Sequence, residues 1–156
     1  MKYAASIVFV LALSVLLTGC SGGLFMQSYE SVKAETIHEV DLVEALLDPL
    51  DVVSVEENTK GDSFPCANRT GLLYTGQRLI EVSVDFDRPA WLKTLQRDYD
   101  DREWASTIET RSNSGEVTVT LVSPGGITLH ISENETQAGA PLVVLESFSP
   151  CGTVDD

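Results

Sequence analysis

The chain has 156 residues, with 24 Asp and Glu against 10 Lys and Arg, for a formal charge of −14 at pH 7. That balance argues against nucleic acid as a partner, because a phosphate backbone needs a basic face, and against a body that adheres to anionic lipid. The length suits one domain with one core.

The first element is apolar. Lys2 gives a positive start, and residues 4–17 carry no charge before Leu17-Thr18-Gly19-Cys20 closes the run. The run is too short for a spanning helix, and Ser21-Gly22-Gly23 follows it instead of a basic stop-transfer flank, so it reads as an export signal. Small residues directly before a cysteine at the cut site resemble the lipobox of bacterial lipoproteins. The resemblance covers residues 1–20. It implies thioether diacylation of Cys20, cleavage before it, and a location on the extracytoplasmic face of the cell membrane. The alternative is an ordinary signal peptide with a chance cysteine.

On the lipoprotein reading the organisation is a leader over 1–19, a lipidated Cys20 with a tether over 20–30, and a single domain over 31–156. Cleavage leaves 137 residues (156 less the first 19) and, without Lys2, a charge of −15. Two or three acyl chains anchor stably where one holds only marginally. A flexible ten-residue tether reaches roughly 15–20 Å, which keeps the body close to the bilayer. Leu24, Phe25 and Met26 either dip into the interface or pack on the domain.

The first helix is expected from Ser31 to Leu47. Ile37, Val40, Val43 or Glu44, Leu47 and Leu50 follow three- and four-residue spacing, and Asp48-Pro49 ends the element. Val52 to Val55 reads as a short strand. Residues 56–77 are rich in turn residues and read as a long loop. Arg78 to Phe86 alternates as a half-buried strand. Asp87 then caps a second helix with Pro89 in its first turn, and Trp91 or Leu92, Leu95 and Tyr99 make its apolar stripe. Trp104 to Arg111, Val117 to Leu121, Ile127 to Ile131 and Leu142 to Phe148 read as strands of a meander. Asn113-Ser114-Gly115 and Ser123-Pro124-Gly125-Gly126 form its turns.

With Cys20 lipidated, Cys66 and Cys151 remain. Export places them where disulfides persist, and two thiols allow a single intramolecular pairing. Two free thiols or a metal site are the alternatives, although two cysteines without nearby histidines make a poor zinc site. A bridge closing about 85 residues constrains the unfolded chain by roughly 4–5 kcal/mol on the entropy model.

The expected fold is α+β: a two-layer sandwich of an antiparallel sheet of about five or six strands, with two helices on one face. The lipobox, short tether, acidic body and paired Pro-Cys steps together resemble the small uncharacterised lipoproteins of high-GC Gram-positive bacteria. That resemblance implies a setting and no mechanism.

Candidate chemistry is sparse. His38 lies on the first helix beside acids and His130 mid-strand on the face opposite Leu129 and Ile131; neither belongs to a nucleophile or zinc motif. Ser63 and Ser123 sit in turns with no readable base. Asp85-x-Asp87 and Asp98-x-Asp100-Asp101 are the best cation candidates, but Asp87 is explained as a cap and the second cluster by pairing with Arg97 and Arg102. Trp91, Tyr99 and Trp104 are candidate ligand-facing side chains, with core as the alternative. Asn68-Arg69-Thr70 and Asn134-Glu135-Thr136 match the N-glycosylation triplet, read in a bacterial lipoprotein as chance matches. No catalytic residue, metal or cofactor is assigned. The expected function is a membrane-anchored, non-catalytic binding module for an unknown protein or envelope ligand. The alternatives are an acidic inhibitor or immunity-type protein masking a basic partner, or a cell-envelope hydrolase.

Overall fold

The computed structural model describes residues 27–58, 63–67 and 70–154. The leader, Cys20, and Leu24, Phe25 and Met26 lie outside the described residues.

Helix α1 (Tyr29–Glu44) starts at Ser28, whose hydroxyl accepts from the Ser31 N–H. It buries Val32, Thr36, Val40 and Val43, and the Thr36 hydroxyl is satisfied by donating to the Val32 carbonyl at 2.7 Å. The helix ends three residues short of Leu47. The Asp48 carboxylate accepts from the Leu50 N–H at 2.9 Å, and this local turn swings Leu50 into solvent. Leu50 therefore does not join the apolar stripe that its spacing suggests.

Among the described residues the strands are β1 (Val52–Asn58), β2 (Ser63–Pro65), β3 (Leu72–Val82), β4 (Ala105–Thr110), β5 (Val117–Val122), β6 (Thr128–Glu135) and β7 (Pro141–Phe148). Helix α2 (Arg88–Asp100) lies between β3 and β4. The sheet order is β1-β3-β7-β6-β5-β4, with β2 also paired to β3 and all pairings antiparallel. Helix α1 packs over β3 and β7, and α2 over β4, β5 and β6. The fold is the expected α+β sandwich, with the sheet one strand larger.

That extra strand comes from the stretch expected to be a loop. β1 runs on to Asn58, β2 continues its line along the same edge of β3, and β3 begins at Leu72 rather than Arg78. Gly76 looks like a turn residue but sits inside β3. A side chain there would collide with the Tyr74 hydroxyl and meet the Ser147 hydroxyl at 3.0 Å, so the glycine serves close packing. β3 also ends at Val82 rather than Phe86.

The core lies between the helices and one sheet face. Val40, Val43 and Leu47 meet Ile80, Val82, Val143 and Leu145, while Leu92, Leu95 and Tyr99 belong with Val117, Val119, Leu121, Leu129 and Ile131. Asp87 caps α2 as expected, its carboxylate accepting from the Ala90 N–H at 3.0 Å. At the other end, Glu103 occupies the left-handed region at φ 64°. The Tyr99 carbonyl accepts from Trp104 N–H there, the six-to-one closure of a Schellman motif.

Candidate functional site

Three features stand out from the packed body. The first is the point where the described chain begins. Cys66 and Cys151 are joined, with their Cα atoms 6.1 Å apart. Leu72 exchanges backbone hydrogen bonds with Gly152, and Thr153 pairs with Gln27 and Tyr29 through 2.8 Å bonds. The start of α1, the C-terminal segment, Cys66 and the start of β3 thus meet in one knot. A Cβ on Gly152 would lie 2.5 Å from Tyr29 Cα, so only glycine fits between these backbones.

The knot defines one pole. β3 runs from it at Leu72 to the opposite pole at Val82, a rise of roughly 30–35 Å. That far pole holds the turn after α1 and the loop leading to α2, tied together by Ser83 N–H donating to the Asp51 carbonyl at 2.8 Å.

The second feature is the uncovered sheet face. A polar row crosses it at one level: Gln77 on β3 opposite Glu146, Glu146 opposite His130, His130 opposite Thr120, and Thr120 opposite Thr107. Gln77 Nε2 donates to Glu146 at 3.4 Å, and the Thr120 hydroxyl bonds His130 Nδ1 at 3.0 Å. The His130 ring meets Phe148 edge-on at 5.6 Å. A shallow depression of ≈ 360 Å³ opens beside it, with Arg111, Glu116 and Ser132 in its lining. One polar, solvated face is ordinary for an antiparallel sheet.

The third feature is Arg78, buried on the helix-facing side of β3. Its two terminal nitrogens reach Glu44 at 2.6 Å, Asp41 at 2.9 Å and Glu57 at 2.9 Å. Burial works against the cation, but the hydrogen bonds that Arg78 donates to Glu57, Asp41 and Glu44 outweigh it and hold the pKa above its ordinary value. The adjoining cavity is only ≈ 10 Å³, so this cluster braces α1 against β1 and β3 rather than opening a ligand site.

Of the aromatic candidates, Tyr99 lies in the core, and Trp91 and Trp104 are partly buried against it. Tyr99 is fully buried, Trp104 meets it edge-on at 5.0 Å, and the Arg102 guanidinium lies 4.9 Å from its ring centre. Burial, then the Glu39 charge, pushes the Tyr99 pKa up to about 12. Trp91 packs on the core beside Phe86 and donates to the Leu46 carbonyl at 3.3 Å. The expected pairing of Arg97 and Arg102 with the 98–101 carboxylates does not form. Arg97 donates to Thr94, Arg102 covers Tyr99, and Asp100 accepts from the Ser106 hydroxyl. Among the described residues no group of three His, Cys, Asp or Glu is arranged to hold a metal ion. Ser63 belongs to β2, and the Ser123 hydroxyl accepts from Ile127 N–H to close its turn.

Neither histidine nor serine pattern singled out the Arg78 cluster. Its members come from three elements, and only their side-chain charge hinted at pairing. No protein-family model matches this chain, and no curated protein matches it in sequence.

Proposed function

We propose that the chain is a lipid-anchored extracytoplasmic protein whose body is a non-catalytic binding module. The observation that carries this reading is the Cys66–Cys151 bridge beside Gln27. Such a cross-link persists in the oxidising compartments that an exported chain reaches. It also braces the root of the stretch that would run back to Cys20. Tethered there, the body would present its opposite pole and its open sheet face to the surroundings. A second reading, an inhibitor-type protein masking a basic partner, is favoured by the charge of −14.

Fractionation of a bacterial host tests the anchor. Cys20→Ala should shift the protein from the membrane to the soluble fraction, and the wild-type mass should carry a diacylglycerol thioether on Cys20. Retention of the variant in the membrane would overturn the reading.

A further inference from the structure

Among the described residues, the most exposed large apolar side chains lie at the pole opposite the knot. Leu50 is 91% exposed, Val84 84% and Val53 61%. Backbone ties bring them together. Ser83 bonds Asp51 through both its N–H, at 2.8 Å, and its hydroxyl, at 3.2 Å, so Leu50 and Val84 flank one joint. Val53 is the bulged residue beside Val52, which pairs with Val82. Next to this ridge a shallow groove of ≈ 590 Å³ is lined by Ala45, Leu47, Pro49 and Val52, together with Asp41 and Glu44. Scattered apolar side chains are ordinary on a surface, but several highly exposed ones at one pole, beside a groove with carboxylates in its lining, are the pattern of a contact site.

Charge selects the occupant. From Ala34 to Asn58 the chain carries eight acidic residues and no Lys or Arg. Arg78 reaches this region from β3, but it is buried and already shared among Asp41, Glu44 and Glu57. A second copy would set the same acids face to face, and an anionic bilayer would be repelled. We propose that the groove and the Leu50–Val84 ridge bind a cationic amphipathic segment of another protein. Apolar side chains of that segment would fill the groove, and its Lys and Arg would lie over the surrounding carboxylates. The proposal rests on the binding-module reading above and names the site and the partner's chemistry.

The test uses the full chain in zwitterionic nanodiscs, with empty nanodiscs as the lipid control. The probe is a fluorescein-labelled peptide with Leu on one helical face and Lys on the other. The control peptide carries Ser in place of every Leu. Anisotropy should show binding that weakens with salt, and the Ser peptide should bind on the order of tenfold more weakly. Leu50→Ser with Val84→Ser should weaken the Leu peptide by about tenfold or more while the thermal melt stays unchanged. Phe64→Ser, at the knot pole, should leave binding intact. Equal binding of both peptides would reduce the effect to bulk charge, and equal loss in the Phe64 variant would show that it is not local to the groove; either overturns the proposal. Unchanged binding in the double variant would overturn it directly. Sedimentation showing a dimer that the double variant dissolves would assign the groove to a second copy instead. None of these outcomes bears on the fractionation of Cys20→Ala, so the anchor and the groove fail separately.

Discussion

Tyr29 donates its backbone N–H to the Thr153 carbonyl at 2.8 Å, which binds the first turn of α1 to the C-terminal segment. Three residues around this bond set its strength: Cys66, Cys151 and Gly152. Removing the bridge with Cys66→Ser and Cys151→Ser together should cost about 2–4 kcal/mol in denaturant unfolding. Amide exchange should speed up first at Tyr29, Gly152 and Thr153, because their bonds close the knot. Uniform acceleration across the sheet would argue against a local brace.

Gly152→Ala probes the same knot without touching the bridge. The new methyl would press on Tyr29 Cα and N, at 2.5 and 2.6 Å, and neither backbone can yield cheaply. A loss of about 1–3 kcal/mol is expected from overpacking, read as a lower denaturation midpoint.

Arg78 holds three carboxylates with one planar fork. Arg78→Ala should cost about 1–3 kcal/mol, since it removes a buried side chain and leaves the partly exposed Asp41, Glu44 and Glu57 facing one another. Arg78→Lys should recover only part of this, because an ammonium cannot reproduce contacts made from two separate nitrogens. Full recovery in a chemical melt would show that charge alone matters there.

The Tyr99 hydroxyl is buried with no hydrogen-bond partner among the described residues. Tyr99→Phe should therefore be neutral or stabilising by up to about 1 kcal/mol, whereas Tyr99→Ala should cost about 3–5 kcal/mol. The pH dependence has a definite sign. The folded group keeps its proton to about 12, while in the unfolded chain it loses it near 10. The contribution is intact below pH 10 and fades as the pH rises from there toward 12, by about 2–3 kcal/mol in total. An alkaline unfolding series should show this loss in the wild type and a smaller one in Tyr99→Phe.

Glu103 sits at the closing position of the α2 Schellman motif with φ 64°, where glycine is usual. Relieving the left-handed strain of a side chain there should make Glu103→Gly more stable by up to about 1 kcal/mol. The check is a thermal melt, and a lower midpoint would mean that the Glu103 side chain contributes more than its backbone costs.

Local chemistry determined much of this molecule from its sequence. The Asp87 cap and Pro89 placed α2, spacing placed Leu95 and Tyr99 in its buried stripe while leaving Trp91 or Leu92 open, and period-two alternation placed β5 and β6 with the right face inward. Gly115 and Gly126, both with positive φ, marked two turns, and with Cys20 set aside Cys66 and Cys151 had one way to pair. Each of these signals acts over a few residues or follows from simple counting.

Only the tertiary structure decided the rest. Gly71 and Gly76 read as turn residues, yet Gly76 lies inside β3, and Gly71 lets the Gly152 carbonyl pass close by. Leu50 keeps helical spacing but is turned outward by one side-chain hydrogen bond. Arg78 meets acids 21 to 37 residues away on two other elements. The same holds for the burial of the Tyr99 hydroxyl and for the joining of Asp51 to Ser83, which sets Leu50 and Val84 at one pole. Close approach between distant segments leaves no period in a sequence, because the excluded volume and charge that govern it exist only once the chain has folded.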